Sequence, residues 1–207
     1  MNVTQNHKDF IIEQYDILAD YDAKRPEGHA YKFHEHSKRV ANNVKKLSLV
    51  NGYNTNMADA LYWATLPHDI GKTILPIKIW DLKNKPTEDQ RAQRRAHTIN
   101  GVTITHNEFG HTCDTDPFLM LMIDIMTNHH ECLDGTGFMG KTANDLSDEV
   151  RMVCICDAYD GWTIKRPHFG NRDVSPVAVL KRMKDEKSGQ FDTDLLNSFE
   201  HMILEND

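Results

Sequence analysis

Apolar side chains recur in this chain at intervals of three and four residues, and no segment alternates them with polar ones at a period of two. A 3.6-residue stripe is buried by a helix and a period of two by a strand, so the pattern predicts an all-α fold. Residues 8–19 carry Phe10, Ile11, Ile12, Tyr15 and Leu18 at helical spacing. Residues 35–50 place Val40, Val44, Leu47 and Val50 on one stripe, with Gly52 just beyond as a C-cap candidate. A third apolar helix over 57–65 delivers its end to His68-Asp69. Thr87 to Gln90 has the form of a capping box and opens a helix expected to run to about Asn107. Asp116-Pro117 supplies an N-cap and a first-turn proline for a helix ending near His130. Similar signals start helices over 147–164 and 175–187, and a helix over 192–204 closes the chain. Loops are expected over 73–86, 132–146 and 165–174.

With 207 residues, 39% of them hydrophobic, the chain fits one domain with a full core. That domain is expected over residues 31–207, preceded by a short N-terminal helical extension over 1–30. The formal charge of −7 argues against a binder of polymeric nucleic acid, which would present a basic face. The longest apolar run, 117–125, is too short to cross a bilayer and is interrupted by Asp124. Residues 2–9 are largely polar, unlike a signal peptide, so a cytoplasmic protein that engages no membrane is expected. Cys113, Cys132, Cys154 and Cys156 lack the paired spacing of a structural zinc site and read as free thiols.

Along the expected helices lies a scattered set of imidazoles and carboxylates. His36 opens one helix, His68-Asp69 end another, His97 falls within the helix begun at Thr87, and His129-His130 close the next. Asp157 sits in the apolar run 154–159, where an unpaired carboxylate is costly to bury. Adjacent helical residues point about 100° apart, so His129 and His130 serve one site most easily if the helix ends there. Singly, each residue has a blander account in packing or at the surface. In this order they read as a two-metal hydrolytic site. Mixed imidazole and carboxylate shells suit iron, manganese, zinc, nickel or cobalt better than magnesium or calcium. Two ions with a bridging hydroxide would stay net positive against Asp69 and Asp157, which suits a phosphodiester anion.

Five stretches carry a family resemblance: His36-Ser37-Lys38-Arg39-Val40, His68-Asp69-Ile70-Gly71-Lys72, His97-Thr98-Ile99-Asn100-Gly101, His129 to Phe138, and Asp157-Ala158-Tyr159-Asp160 leading to Arg166-Pro167. From about residue 33 to residue 169 the chain resembles the HD-GYP subgroup of the HD-domain metal-dependent phosphohydrolases. The resemblance implies an HD-domain helical bundle that hydrolyses cyclic di-GMP or a related cyclic dinucleotide in bacterial signalling at an iron or manganese centre. Position by position, it implies metal ligation by His36, His68, Asp69, His97, His129, His130 and Asp157, with Asp69 bridging. Lys72 and Arg166 resemble the family's phosphate-contacting cations, and Asp160 resembles a polar group beside the nucleophilic water. Lys32 replaces the glutamate that trinuclear members carry four residues before the first histidine, which favours two ions. Gly137-Phe138-Met139-Gly140 keeps the aromatic residue of the Gly-Tyr-Pro signature and lacks its proline, and Phe169 stands where a basic residue is usual.

The expected protein is a metal-dependent phosphodiesterase in which a metal-bridging hydroxide attacks phosphorus, with Lys72, Asp160 and Asp69 as catalytic residues. The expected cofactors are two divalent transition ions, iron or manganese ahead of zinc, nickel or cobalt. The alternatives are a general HD-type nucleotide phosphohydrolase, a di-iron oxygenase with a related shell, and a non-catalytic module that holds a cyclic dinucleotide. No receiver or sensor segment precedes the motifs, so regulation is expected from the N-terminal segment, a homodimer or a separate partner.

Overall fold

A computed structural model of the chain describes residues 1–26, 31–82, 84–165 and 170–205. Nine α-helices occur among the described residues: α1 (Gln5–Ala23), α2 (Phe33–Val50), α3 (Thr55–Thr65), α4 (Glu88–Arg95), α5 (His97–Phe109), α6 (Pro117–Asn128), α7 (Asp148–Thr163), α8 (Pro176–Asp185) and α9 (Thr193–Leu204). Short 3-10 segments occupy Ile70–Ile74, Ile77–Ile79, Gly110–Asp114 and Ala143–Asp145, and the described residues contain no strand. None of these helices is long and apolar enough to cross a membrane.

A helix start leaves amide groups without intrahelical acceptors, and a side chain just ahead can accept from them. Thr4 and Thr87 do so within capping boxes completed by His7 and Gln90. Asn54, Ser147 and Ser175 accept from the third amide of α3, α7 and α8, while Asp116 and Asp192 each accept from two amides. These caps sit where the sequence places them, except that Thr4 and Asn54 start their helices earlier than the apolar stripes alone indicate.

The segment after Thr87 departs from expectation. It forms two helices that meet at Ala96, so His97 is the first residue of α5 and not a mid-helix residue. The physical reason is a change of environment. α4 buries no side chain, whereas α5 buries His97, Thr98, Gly101 and Thr105. Arg94 fixes the break, donating from Nε and Nη2 to the Ile79 carbonyl at 2.7 and 2.5 Å.

The core lies between α2, α3, α6 and α7. Val40, Ala41, Val44 and Leu47 of α2 join Ala60, Leu61 and Ala64 of α3, whose small side chains let the two helices approach closely. Phe118, Met122, Ile125 and Met126 of α6 meet Met152, Val153 and Ile155 of α7, and Phe199 of α9 completes the same cluster. Each fully buried large aliphatic or aromatic side chain contributes about 1.5–3 kcal/mol of transfer free energy. Phe10 and Ile11 of α1 enter this cluster, while Leu18 and Tyr21 form a smaller one with Phe33 that Tyr31, Ile77 and Trp80 flank.

One close approach sets the position of the site. The 3-10 segment after His68-Asp69 crosses the start of α5 at Gly71, where a Cβ atom would stand 1.9 Å from the His97 carbonyl oxygen and 2.4 Å from the Gly101 nitrogen. Only glycine permits that crossing, and it brings the His68-Asp69 turn beside His97.

Candidate metal centre

Asp69 turns its two carboxylate oxygens toward different histidines. Oδ1 stands 3.4 Å from His97 Nε2 and 3.8 Å from His129 Nε2, while Oδ2 stands 3.5 Å from His68 Nε2 and 3.7 Å from His36 Nε2. Asp157, reaching in from α7, repeats the arrangement. Its Oδ1 lies 2.9 Å from His36 Nε2 and 3.7 Å from His68 Nε2, and its Oδ2 lies 3.4 Å from His130 Nδ1. All seven residues singled out in the sequence therefore converge. They include two sets, His36 with His68 and Asp69, and His97 with His129 and His130, in each of which the ligand atoms lie within 4.8 Å of one another.

Local structure aims these side chains. His68 and Asp69 follow the end of α3, where the chain turns into the 3-10 segment. His129 caps the C-terminus of α6 and His130 follows it, so the helix does end at the pair. His130 has a side chain 28% exposed, against at most 3% for the other four imidazoles, so the centre opens on the His130 side.

The tautomers follow from the carbonyls nearby. His68 Nδ1 donates to Thr65 O at 3.0 Å, His97 Nδ1 to Arg94 O at 2.5 Å, and His129 Nδ1 to Ile125 O and Met126 O at 3.1 and 3.0 Å. Each of these rings then presents an Nε2 lone pair to the interior. His97 Nε2 and His129 Nε2 face each other at 3.2 Å, an arrangement in which two lone pairs repel unless a cation lies between them. His68 Nε2 and Asp69 Oδ1 are buried and have no hydrogen-bond partner, a costly state for polar atoms. Convergent imidazole lone pairs, a shared carboxylate and orphaned buried acceptors fit divalent cations.

The field agrees. Burial alone would lower the His36 pKa, but hydrogen bonds with Asp157 and Asp160 push it up to about 9, so this ring would release a proton on taking up a cation. Burial would raise Asp69 and Asp157, yet the Lys72 ammonium holds Asp69, and the hydrogen bond from His36 holds Asp157, well below the usual carboxylate range. These two anions make the pocket favourable for positive charge. Burial lowers His97 to about 3 and pushes His129 and His130 down as well, which keeps those rings neutral as ligation requires.

Two residues outside the seven have defined places. Lys72 is buried, pairs with Asp69 Oδ2, and sets Nζ over the rings of Phe33 and Trp80 at 4.3 and 5.4 Å. Asp160 binds His36 Nδ1 through Oδ2 at 2.6 Å, while Arg39 Nε donates to its Oδ1 at 2.6 Å and Nη2 to its Oδ2 at 3.0 Å. Asp160, read from the sequence as a polar group beside the nucleophilic water, is held here by contacts with His36 and Arg39. Arg166 and Phe169 lie outside the described residues.

Arg39 and Glu131 lie within the stretches that carry the resemblance, but the sequence reading gives neither of them a role in the site. Arg39 stands three residues after His36, on the same face of α2, just as Asp160 stands three after Asp157 on α7, and that matched spacing is the signal. Glu131 is buried and accepts from the Met139 and Lys141 amides at 2.6 and 2.8 Å. Gly137 passes so close that a Cβ atom there would stand 2.5 Å from Glu131 Cα. The clamp sets the Phe138 ring 4.5 Å from that of His130, with the Arg95 guanidinium 5.1 Å from the centre of the Phe138 ring.

The profile of the HD domain family matches residues 26–195. A cyclic di-GMP phosphodiesterase of Pseudomonas aeruginosa is 31% identical over 137 residues, which cover 66% of this chain and 31% of that protein. A 3'3'-cGAMP-specific phosphodiesterase of Vibrio cholerae is 28% identical over 149 residues, covering 72% of this chain and 33% of its own length. The chain thus spans about a third of these curated relatives. Among solved structures, an HDG"Y"P protein from Bdellovibrio bacteriovorus superposes with a TM-score of 0.69 at 14% identity, over 96% of this chain and 63% of that one, and shares the fold.

Proposed function

Because the chain belongs to the HD domain family, we propose that it is a metal-dependent phosphodiesterase that hydrolyses a cyclic dinucleotide such as cyclic di-GMP. The observation that carries this reading is the division of Asp69 between two pairs of histidines. The names of its relatives as cyclic di-GMP and cGAMP phosphodiesterases support the substrate class.

In this reading His36, His68 and Asp69 would hold one divalent ion and His97, His129 and His130 the other, with Asp69 and Asp157 supplying the carboxylates. Two such ions, iron or manganese first, would supply an acidified water at neutral pH and positive charge for the phosphoryl oxygens. The chain's own residues do the rest. Lys72, held at the floor beside Asp69, neutralises the phosphate, and Arg166 serves as a second cation for the substrate. Both oxygens of Asp160 are occupied by His36 and Arg39, so its part is to orient His36. Phe138 borders the mouth beside His130 and contacts the incoming nucleotide.

The family match beginning at residue 26 supports reading residues 1–30 as an extension to a catalytic unit over 31–207. Four free cysteines suit a reducing compartment, and the proposal places the protein in the cytoplasm with a homodimer or a separate partner as its regulator.

The test is turnover by anaerobically purified, metal-loaded protein of cyclic di-GMP, cGAMP and mononucleotides, with products resolved by chromatography. A linear dinucleotide or mononucleotide product is expected from the cyclic substrates. Tight binding without product would make the chain a binding module. Cleavage of mononucleotides alone would make it a general nucleotide phosphohydrolase.

A further inference from the structure

We propose that α1 belongs to the catalytic apparatus, with Tyr21 acting through Trp80 to position Lys72. The inference rests on the reading of Lys72 as the cation that meets the phosphate ester.

A lysine carries its charge on a flexible four-carbon stem and loses considerable rotamer freedom when held in one place. Here two aromatic walls confine it. Phe33 lies 4.3 Å and Trp80 5.4 Å from Nζ, and the two rings meet edge to face at 5.4 Å. Cations favour the faces of such rings, most of all where water is excluded.

Each wall is held from the N-terminal helix. Trp80 follows the three-residue 3-10 segment Ile77–Ile79, and its indole N–H donates to Tyr21 Oη at 3.0 Å. The same hydroxyl donates to the Leu75 carbonyl at 2.7 Å, so one atom of α1 ties both ends of the segment 75–80. Phe33 is covered by the Arg25 guanidinium, 4.0 Å from its ring centre. Arg25, just past the end of α1, is itself buried and bonded to Asp22 at 2.7 Å and to Asp81 Oδ2 at 3.0 Å.

A packing role alone would be served by a phenylalanine and an aliphatic residue. A shared hydroxyl and a buried ion-pair network are costly means of filling space. What they provide is fixed direction for the two rings that flank Lys72. Tyr21 and Asp22 precede the residues 26–195 that match the family.

The experiment uses the full chain loaded with zinc, which is diamagnetic, and compares wild type with Tyr21→Phe and Trp80→Phe. In carbon–proton spectra of protein labelled at lysine Cε, the Lys72 signal is identified by its loss in Lys72→Arg. Ring currents should shift it upfield in wild type, and both test variants should move it toward the position of solvated lysines. With the preferred cyclic dinucleotide, Tyr21→Phe should lower kcat on the order of tenfold and leave KM nearly unchanged. In a Lys72→Met background it should cause no further loss. A Lys72 signal that stays in place in Tyr21→Phe overturns the proposal, as does an equal loss of kcat with and without Lys72. Should no phosphate ester be turned over, the phosphodiesterase reading fails while the spectra still decide whether Tyr21 places Lys72.

Discussion

His36 Nδ1 stands 2.6 Å from Asp160 Oδ2, leaving Nε2 on the other side of the ring to face Asp157 at 2.9 Å. Arg39 holds Asp160 in turn, so a surface-facing guanidinium, a carboxylate and an imidazole run inward to the centre. Outer partners of this kind fix the ring orientation of metal-ligating histidines.

Asp160→Ala should therefore weaken metal binding by about 10–100-fold while the fold persists. Competition against a chelator of known affinity measures it. Arg39→Ala should produce a smaller loss in the same direction. Unchanged affinity in Asp160→Ala would remove Asp160 from this role.

Gly71→Ala should destabilise the protein far more than an ordinary glycine replacement. The added Cβ would meet backbone atoms of His97 and Gly101, which cannot rotate aside as a side chain can. Overpacking costs about 1–3 kcal/mol and occasionally more, and the upper end is expected here. For a chain of this length about 3 kcal/mol corresponds to roughly 6–12 °C in Tm. Calorimetry of the two proteins under the same metal load decides it, and a change below 2 °C would contradict the packing described.

Glu131→Ala should free the loop that carries Phe138. The Met139 and Lys141 amides lose a charged, buried acceptor, and hydrogen bonds to charged groups are worth about 1.5–3 kcal/mol. Amide exchange at those two positions should accelerate on the order of 10–100-fold, with exchange in α2 and α3 unchanged. Full protection of both amides in the variant would show that the loop is held elsewhere.

His7 should give stability a pH dependence. Its ring is buried, stacked on Phe118 at 4.9 Å and edge-on to Phe109 at 5.6 Å. Burial lowers its pKa, with Asp116 opposing only in part. An unfolded chain with a histidine pKa near about 6.5 then binds the proton first. Stability contributed by the neutral ring is present above that value and is lost as pH falls toward the folded pKa. Urea titrations of wild type and His7→Gln should show a stability gap that is wider at pH 7 than at pH 5. A gap that widens on acidification would contradict the assignment.

What the sequence disclosed, and what it did not, divides along the range of the interactions. Helix starts at Thr87, Asp116, Ser147 and Ser175 are local, because the capping side chain lies within three residues of the amide it serves. The break at Ala96 is not local. It depends on α5 being buried while α4 is solvated, which no window of residues around Ala96 reports. The seven convergent residues were legible because histidines at helix ends and an acid in an apolar helix are hard to explain singly. Their pairing through the two oxygens of Asp69 was not, since it depends on how Gly71 crosses α5. Arg39 resembles any exposed cation until its partner 121 residues away is known. The tie between Tyr21 and Trp80 spans 59 residues and falls in a segment that reads as loop.

In the proposed mechanism Asp69 joins two cation sites into one centre. Metal analysis of the chain saturated with manganese, repeated on Asp69→Ala, tests it most directly. Two ions per chain are expected in wild type, and loss of both is expected in the variant, with helicity retained. A wild-type chain that takes up a single ion, or an Asp69→Ala chain that keeps two, would contradict the account.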